Sequence, residues 1–365
     1  MATNKNQHFV PRVHLAPFTT PETEDAINLY NIDRDKVIPA APVKHQCSRD
    51  YFYGRDDNLD SKIRGMEGEY GRAVRAVQTL GYELSDDEHQ ILINFWQLQY
   101  MRTEAASRRS VEMFTELGST IGMKGSEFRM EIRGSVQLAM KTFFDTRYLM
   151  SDLRGCLLNN CTDTPFVTSD DPAIFANRWL TQIRPPIGRS FGLTSAGAMA
   201  YLPLTPTIAY LAYDPDVYSV STKSGWLKVT DNTDVLAANE LQYLNCRANL
   251  YIRESRHIPA IRSQFLEIAS ARSGPRHVIR YAIKDGEYDG GVRYRIVPRG
   301  FELGDTEAIF HSQTVHLAPR RWLRAMRWKT KGVAYALGPA RTLVRASATM
   351  ASPNLGYERI YIGIK

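Results

Sequence analysis

The chain has 365 residues, 43% hydrophobic and 23% charged, enough for a sizeable core and unlike a disordered or fibrous polymer. Its formal charge of +7 favours a polyanionic partner such as RNA or DNA. No stretch approaches the roughly 18 consecutive apolar residues of a membrane helix, and the opening Met1-Ala2-Thr3-Asn4-Lys5 carries no secretory-type apolar run.

A cytoplasmic location is therefore expected. The four cysteines (Cys47, Cys156, Cys161, Cys246) form no Cys-x-x-Cys pair and read as reduced thiols.

Residues 1–56 read as extended or irregular, because Pro11, Pro17, Pro21, Pro39 and Pro42 interrupt any helix. Val10, Val13 and Leu15 suggest a strand with Pro11 at its edge. Asp50-Tyr51-Phe52-Tyr53-Gly54 predicts a short strand or a buried turn. Residues 57–160 read as helical. Ile63, Met66, Tyr70, Val74 and Val77 form one apolar face, with Gly81 as a stop. Ser85 and Glu88 make a capping box for a second helix carrying Ile91, Leu92, Phe95, Leu98 and Met101. A third helix runs through Val111, Phe114 and Leu117, and a fourth from Met130 to about Asn159.

From Asp163 the period changes. Phe166 to Pro172 predicts a strand entering a turn, and Ala198 to Tyr213 one or two strands broken by Pro203 and Pro206. Residues 232–246 return to helical spacing, Asn249 to Arg253 reads as a strand, and 276–298 as a hairpin with Asp285-Gly286 and Gly290-Gly291 as turn candidates. Val13-His14-Leu15-Ala16-Pro17 recurs as Val315-His316-Leu317-Ala318-Pro319, with no longer period around it. The expected class is α+β: an N-terminal extended segment, a central helical bundle, a mixed or antiparallel β part and a basic C-terminal extension.

That extension holds the densest charge. Six cations and two tryptophans lie between Arg320 and Lys331. Wound as a helix, Arg320, Arg324, Arg327 and Lys331 share a face suited to phosphates, with Arg321 adding a further cation. The same pattern suits a helix on an anionic membrane, or a core helix with a solvated basic side. Walker A, Gly-x-Gly-x-x-Gly, His-Glu-x-x-His and Gly-x-Ser-x-Gly patterns are all absent, which removes most support for nucleotide motors, Rossmann dehydrogenases, zinc proteases and α/β-hydrolases.

Four motifs in order carry a resemblance: Asn6-Gln7-His8-Phe9-Val10-Pro11; Asp50-Tyr51-Phe52-Tyr53 followed by a helix with Asp60 and Glu67; Phe166-Val167-Thr168-Ser169-Asp170-Asp171-Pro172; and Pro203-Leu204-Thr205-Pro206 before a helix with Asn239 and Gln242. Over roughly residues 6 to 255 the chain resembles the domain of unknown function family 4238. Asp171 stands where the family has Asn, and Asp60 where many members have Glu. The resemblance implies a core over 1–272, helical at about 57–160 and β-rich at about 163–255, with 273–365 as the added extension. It implies no activity.

Chemically, His8, Glu67 and Asp170 supply an imidazole and two carboxylates that could serve as acid and base, or hold a divalent cation. His8 could equally be a buried histidine satisfied by a neighbouring backbone group, and Ser169-Asp170-Asp171-Pro172 a self-capped turn. Gln99 and Arg102 share a helix face, and Arg102 could pair with Glu67 or hold a phosphate. The expected function is a nucleic-acid hydrolase with His8, Glu67 and Asp170 catalytic. Arg12, Gln99, Arg102, Ser169, Asp171, Asn239, Arg320, Arg321, Arg324 and Arg327 would bind substrate. The alternatives are a non-catalytic nucleic-acid or protein binding module, and a small-molecule hydrolase whose tail serves oligomerisation.

Overall fold

The computed structural model describes residues 5–79, 81–120, 130–183, 191–272, 274, 276–288, 291–298, 301, 307–316, 318–337 and 342–363. The chain opens with β1 (Asn6–His8) and the short α1 (Arg12–Leu15), followed by β2 (Ala26–Asn31), β3 (Lys36–Pro42) and β4 (Ser48–Asp50). A helical block follows: α2 (Asp57–Ala76), α3 (Asp86–Arg102), α4 (Glu104–Thr120) and α5 (Ile132–Thr146). Then come β5 (Arg154–Asn160), β6 (Thr168–Ser169), β7 (Ile174–Ala176), α6 (Arg178–Gln182), β8 (Met199–Pro203) and β9 (Ile208–Tyr213). These lead into β10 (Tyr218–Val220), β11 (Trp226–Val229), α7 (Asn232–Asn245), β12 (Asn249–Ile252) and α8 (Ile258–Leu266). The remainder holds β13 (His277–Tyr288), β14 (Gly291–Val297), β15 (Ala308–Thr314), β16 (Met326–Trp328), β17 (Gly332–Leu337), β18 (Thr342–Val344), α9 (Ala346–Ala351) and β19 (Glu358–Ile362). This is the α+β class expected.

A five-stranded sheet, β11-β5-β9-β8-β7, sits at the centre, parallel at β11–β5 and antiparallel elsewhere. Its side chains alternate between two cores, as strand geometry requires. Leu157, Ala200, Leu202, Tyr210 and Ala212 face α2 and α3, meeting Tyr70, Leu92, Phe95 and Trp96. Cys156, Leu158, Tyr201, Ala209 and Leu211 face α7, meeting Val235, Ala238 and Leu241. Trp322, Leu323, Met326, Ala334 and Leu343 of the C-terminal extension close that second core. A four-stranded antiparallel sheet, β3-β2-β12-β6, lies beside it. Together with α5, whose Val136, Met140 and Phe143 are fully buried, it encloses the N-terminal core. Each such side chain contributes on the order of 1.5–3 kcal/mol of burial.

Three expectations fail. Residues 57–160 are not helical throughout: β5 occupies Arg154–Asn160, because Cys156, Leu157 and Leu158 fill both faces of the sheet. The N-terminus is a strand only to His8. Pro11 then stands at the N-cap of α1 in extended conformation, φ −71° and ψ 151°, and its carbonyl accepts the first helical N–H, from His14 at 2.9 Å. The 320–331 segment is irregular and then β16, paired with β10, not a helix. There Trp322 and Leu323 enter the core, while α7 carboxylates take two of its main-chain N–H groups: Glu240 that of Arg320, and Asp234 that of Arg324 at 2.6 Å. The 276–298 hairpin forms as β13–β14 with a register shift at Lys284/Gly286; Gly290 and Leu317 lie outside the described residues. All four cysteines are free. No helix among the described residues is long and apolar enough to cross a membrane.

A cleft built around His8, Glu67 and Arg102

The first two sequence motifs are joined. β1 pairs with β4 antiparallel, His8 opposite Ser48. Gln7, buried, accepts from the Tyr53 main-chain N–H at 2.7 Å and donates to the Gly54 carbonyl at 3.2 Å. Gly54 has φ +90°, a conformation open to glycine and strained for other residues. Tyr53 in turn donates its hydroxyl to the His8 carbonyl at 2.9 Å. His8 is thus fixed by its own backbone, and its side chain is left to face a cleft.

The facing wall is α2. Asp56 caps its start, accepting from the Asn58 and Leu59 main-chain N–H groups. Asp60, Arg64, Glu67, Gly68, Gly71 and Arg75 recur at helical spacing, so one face of α2 lines the cleft opposite His8, Arg12 and Tyr53. Its volume is about 440 Å³. A Cβ at Gly71 would lie 2.7 Å from Val13 Cγ2, so this glycine lets α1 seat against α2. A Cβ at Gly68 would meet nothing within 4 Å, so this position opens on the cleft.

Behind the wall lies Arg102, fully buried at the end of α3. Its Nη1 donates to Glu67 at 2.7 Å and its Nε to Gln99 Oε1 at 3.1 Å. Gln99 donates to the Phe9 carbonyl at 2.7 Å, tying the pair to the His8 motif. Burial opposes the guanidinium's charge, yet Tyr53 and Glu67 hold its pKa above the ordinary value. Among the described residues, eight buried side-chain atoms lack a hydrogen-bond partner, and two of them, His8 Nε2 and Arg102 Nη2, lie at this site. Burial, then the charges of Arg12 and Arg102, push the His8 pKa below 6.5, so the imidazole is neutral at physiological pH.

The other predicted residues lie elsewhere. Asp170 is buried, and both its oxygens are taken by main-chain N–H groups: Arg247 at 2.7 Å, Ala248 and Asn249 at 3.0 Å. Burial raises its pKa to about 6. It does not line the His8 cleft. Ser169 donates to Gln242, and Asp171 accepts from Thr103 at 2.6 Å and pairs with Arg109 at 2.7 Å. Asn239 bridges the Val167 N–H and the Pro165 carbonyl. The third motif is therefore a turn braced by α7 through Asn239, Gln242 and Asn245, with every polar group named here satisfied internally.

In the tail, Arg321 pairs with Glu240 and Glu267, and Arg324 with Asp231. Arg320 donates to the Glu267 carbonyl, while Arg327 is exposed on β16. The expected shared basic face is absent, because no helix aligns these residues.

His8, Arg12 and Glu67 are thus brought to one cleft, and Gln99 and Arg102 support it from behind. Tyr53 and Asp60, both named in the second motif, line it as well, and Arg64 and Arg75 join them without having been singled out. The signal for these two was the spacing of charged residues along α2. Among the described residues no group of three or more His, Cys, Asp or Glu side chains could hold a metal ion; both carboxylates on the cleft wall are engaged by arginines, Asp60 by Arg64 at 3.2 Å and Glu67 by Arg102.

Fold and cleft define an α+β protein whose N-terminal motif and first long helix enclose a histidine–glutamate–arginine site. The chain belongs to the family described as Protein of unknown function (DUF4238), whose profile matches residues 6–256. No curated protein and no solved structure matches it.

Proposed function

We propose that the chain is a nucleic-acid phosphodiester hydrolase working by acid–base catalysis in the His8 cleft. The observation that carries this reading is the buried, unpartnered Nε2 of a neutral His8 in a cleft bearing Arg12, Arg64 and Arg75. A neutral imidazole is competent to accept a proton. His8 takes the proton from the attacking hydroxyl, of water or of an RNA 2′-OH. As the P–O bond to the leaving oxygen breaks, the imidazolium returns the proton to that oxygen. Arg12, Arg64 and Arg75 offset the phosphate charge. Arg102, buried behind this wall and held by Glu67 and Gln99, adds its positive charge to the cleft from behind.

The test is cleavage of single-stranded RNA and DNA by the full chain and by His8→Ala. Loss of cleavage at unchanged melting temperature supports the assignment. Cleavage that persists in the variant sinks it.

A further inference from the structure

A second site is built where α4, the end of α7 and the residues after Arg272 meet. A cleft of about 250 Å³ there is lined by Arg108, Arg109, Arg247, Arg272 and Arg276, against one carboxylate, Glu112. Part of this charge has a structural use. Arg272 donates to the carbonyls of Cys246 and Arg247 at 3.0 Å, and Arg276 to that of Leu244, so both cap the C-terminal end of α7. Arg108 and Arg109 are paired from outside the cleft by Glu104 and Asp171, each at 2.7 Å. Among the described residues, however, Arg247, Arg272 and Arg276 form no ion pair. Burial, then the charges of Arg109 and Arg272, push the Arg276 pKa down to about 10, with the Asp171 carboxylate opposing the shift.

This basic cleft does not end blindly. Arg109 and Arg276 also form part of the wall of an adjoining cleft of about 430 Å³, which includes Tyr100, Met113, Phe114 and His277. His277 Nε2 is engaged by Glu116 at 2.7 Å, but its Nδ1 is buried with no partner among the described residues. The shared wall thus joins a compartment of guanidinium groups to an apolar, aromatic compartment that offers a polar ring atom. Guanidinium forks match phosphate oxygens, aromatic faces take a planar base, and about 430 Å³ falls within the usual range for small-ligand sites.

We propose that this two-part cleft binds a nucleotide, with its phosphates among the arginines and its base in the Tyr100–Phe114 compartment. Arg276, His277 and Thr314 lie beyond the family-matched segment, so the site is assembled jointly by the family core and the extension. It does not depend on the activity assigned to the His8 cleft.

The experiment is equilibrium binding of ATP, GTP, CTP and UTP to the full chain by calorimetry, with inorganic pyrophosphate and farnesyl diphosphate as comparison probes. At least one nucleotide is expected to bind tenfold or more tightly than pyrophosphate. Arg276→Ala and Phe114→Ala should each weaken it at least tenfold, and His8→Ala should leave it unchanged. Because Arg276 also caps α7, Arg247→Ala, an exposed side chain, provides a second variant with the same expected direction. Pyrophosphate binding as tightly as every nucleotide, farnesyl diphosphate binding more tightly, or no saturable nucleotide binding would each overturn the proposal.

Discussion

The His8 cleft and the Asp170 turn are built from equally polar motifs, yet they treat their polar atoms in opposite ways. Asp170 gives both oxygens to three main-chain N–H groups, and Ser169, Asn239 and Gln242 pair off around it. His8 Nε2 and Arg102 Nη2 are buried and left open. A buried polar group without a partner costs roughly 1–3 kcal/mol, and under the proposed function a substrate offsets that cost at His8. Under the proposed function, the contrast separates the residues that hold the molecule together from the histidine that faces a substrate.

The largest expected effects fall on opposite sides of that contrast. His8→Ala should lower cleavage about 10²–10⁴-fold, the usual range for a lost general base, and shift the melting temperature little. Asp170→Ala should do the reverse. It strands three buried N–H donors and should cost about 3–5 kcal/mol in urea unfolding, with per-molecule activity retained while the chain is folded. Asp170 also has a pH signature. Burial raises its pKa from 3.8 to about 6, so between those values the folded state keeps a proton that the unfolded chain has lost. Its contribution is full below pH 4 and is lost as pH rises through 6. Asp170→Asn, uncharged throughout, should therefore gain on the parent chain from pH 4 to pH 7, by on the order of 1–3 kcal/mol. A flat difference over that range would place Asp170 in contact with solvent or with a cation.

Next in size is a substitution that blocks the cleft without disturbing the fold. Gly68 lies inside α2, and a Cβ there meets nothing. Gly68→Phe should fold with stability within about 1 kcal/mol of the parent, since removing a helical glycine is itself favourable by roughly 0.5–1 kcal/mol. It should still lower kcat/KM at least tenfold. Undiminished cleavage in this variant would move the substrate away from α2.

How far the sequence foretold this division depends on the range of the interactions involved. The helices were legible because their determinants are local. Ile63, Tyr70 and Val74 are buried as their spacing implied, and the Ser85–Glu88 capping box is present. β5 was not legible, since a run buried on both faces of a sheet carries no alternation to separate it from a buried helix. The 320–331 segment mimicked a basic helix for a related reason. The carboxylates that determine its path, Asp231, Asp234 and Glu240, lie 80 or more positions away. In the site, the Arg102–Glu67 alternative of ion pair or phosphate ligand resolves as the ion pair, made by a guanidinium that is fully buried and does not line the cleft. The role of Asp170 could not be read from the sequence, because its partners are main-chain amides 77 to 79 positions away, and any side chains could have supplied those.

The smallest expected effect tests how His8 is kept neutral. Burial and the charges of Arg12 and Arg102 lower its pKa together. Arg102 is locked into the core, whereas the Arg12 side chain is 56% exposed and, among the described residues, pairs with Asp25 at 3.5 Å, so Arg12 can be removed with little structural cost. A general base works in its unprotonated form, and the acid limb of the kcat/KM profile reports that pKa in the free enzyme. For the parent chain this limb should lie below pH 6.5. In Arg12→Ala one cation is gone, the imidazole holds its proton more readily, and the limb should move upward. Activity at neutral pH should fall modestly through the lost phosphate contact, more in KM than in kcat. If His8 were only a structural histidine, Arg12→Ala would change KM without moving the limb. The direction of that shift therefore separates proton transfer by His8 from charge attraction by the cleft as a whole.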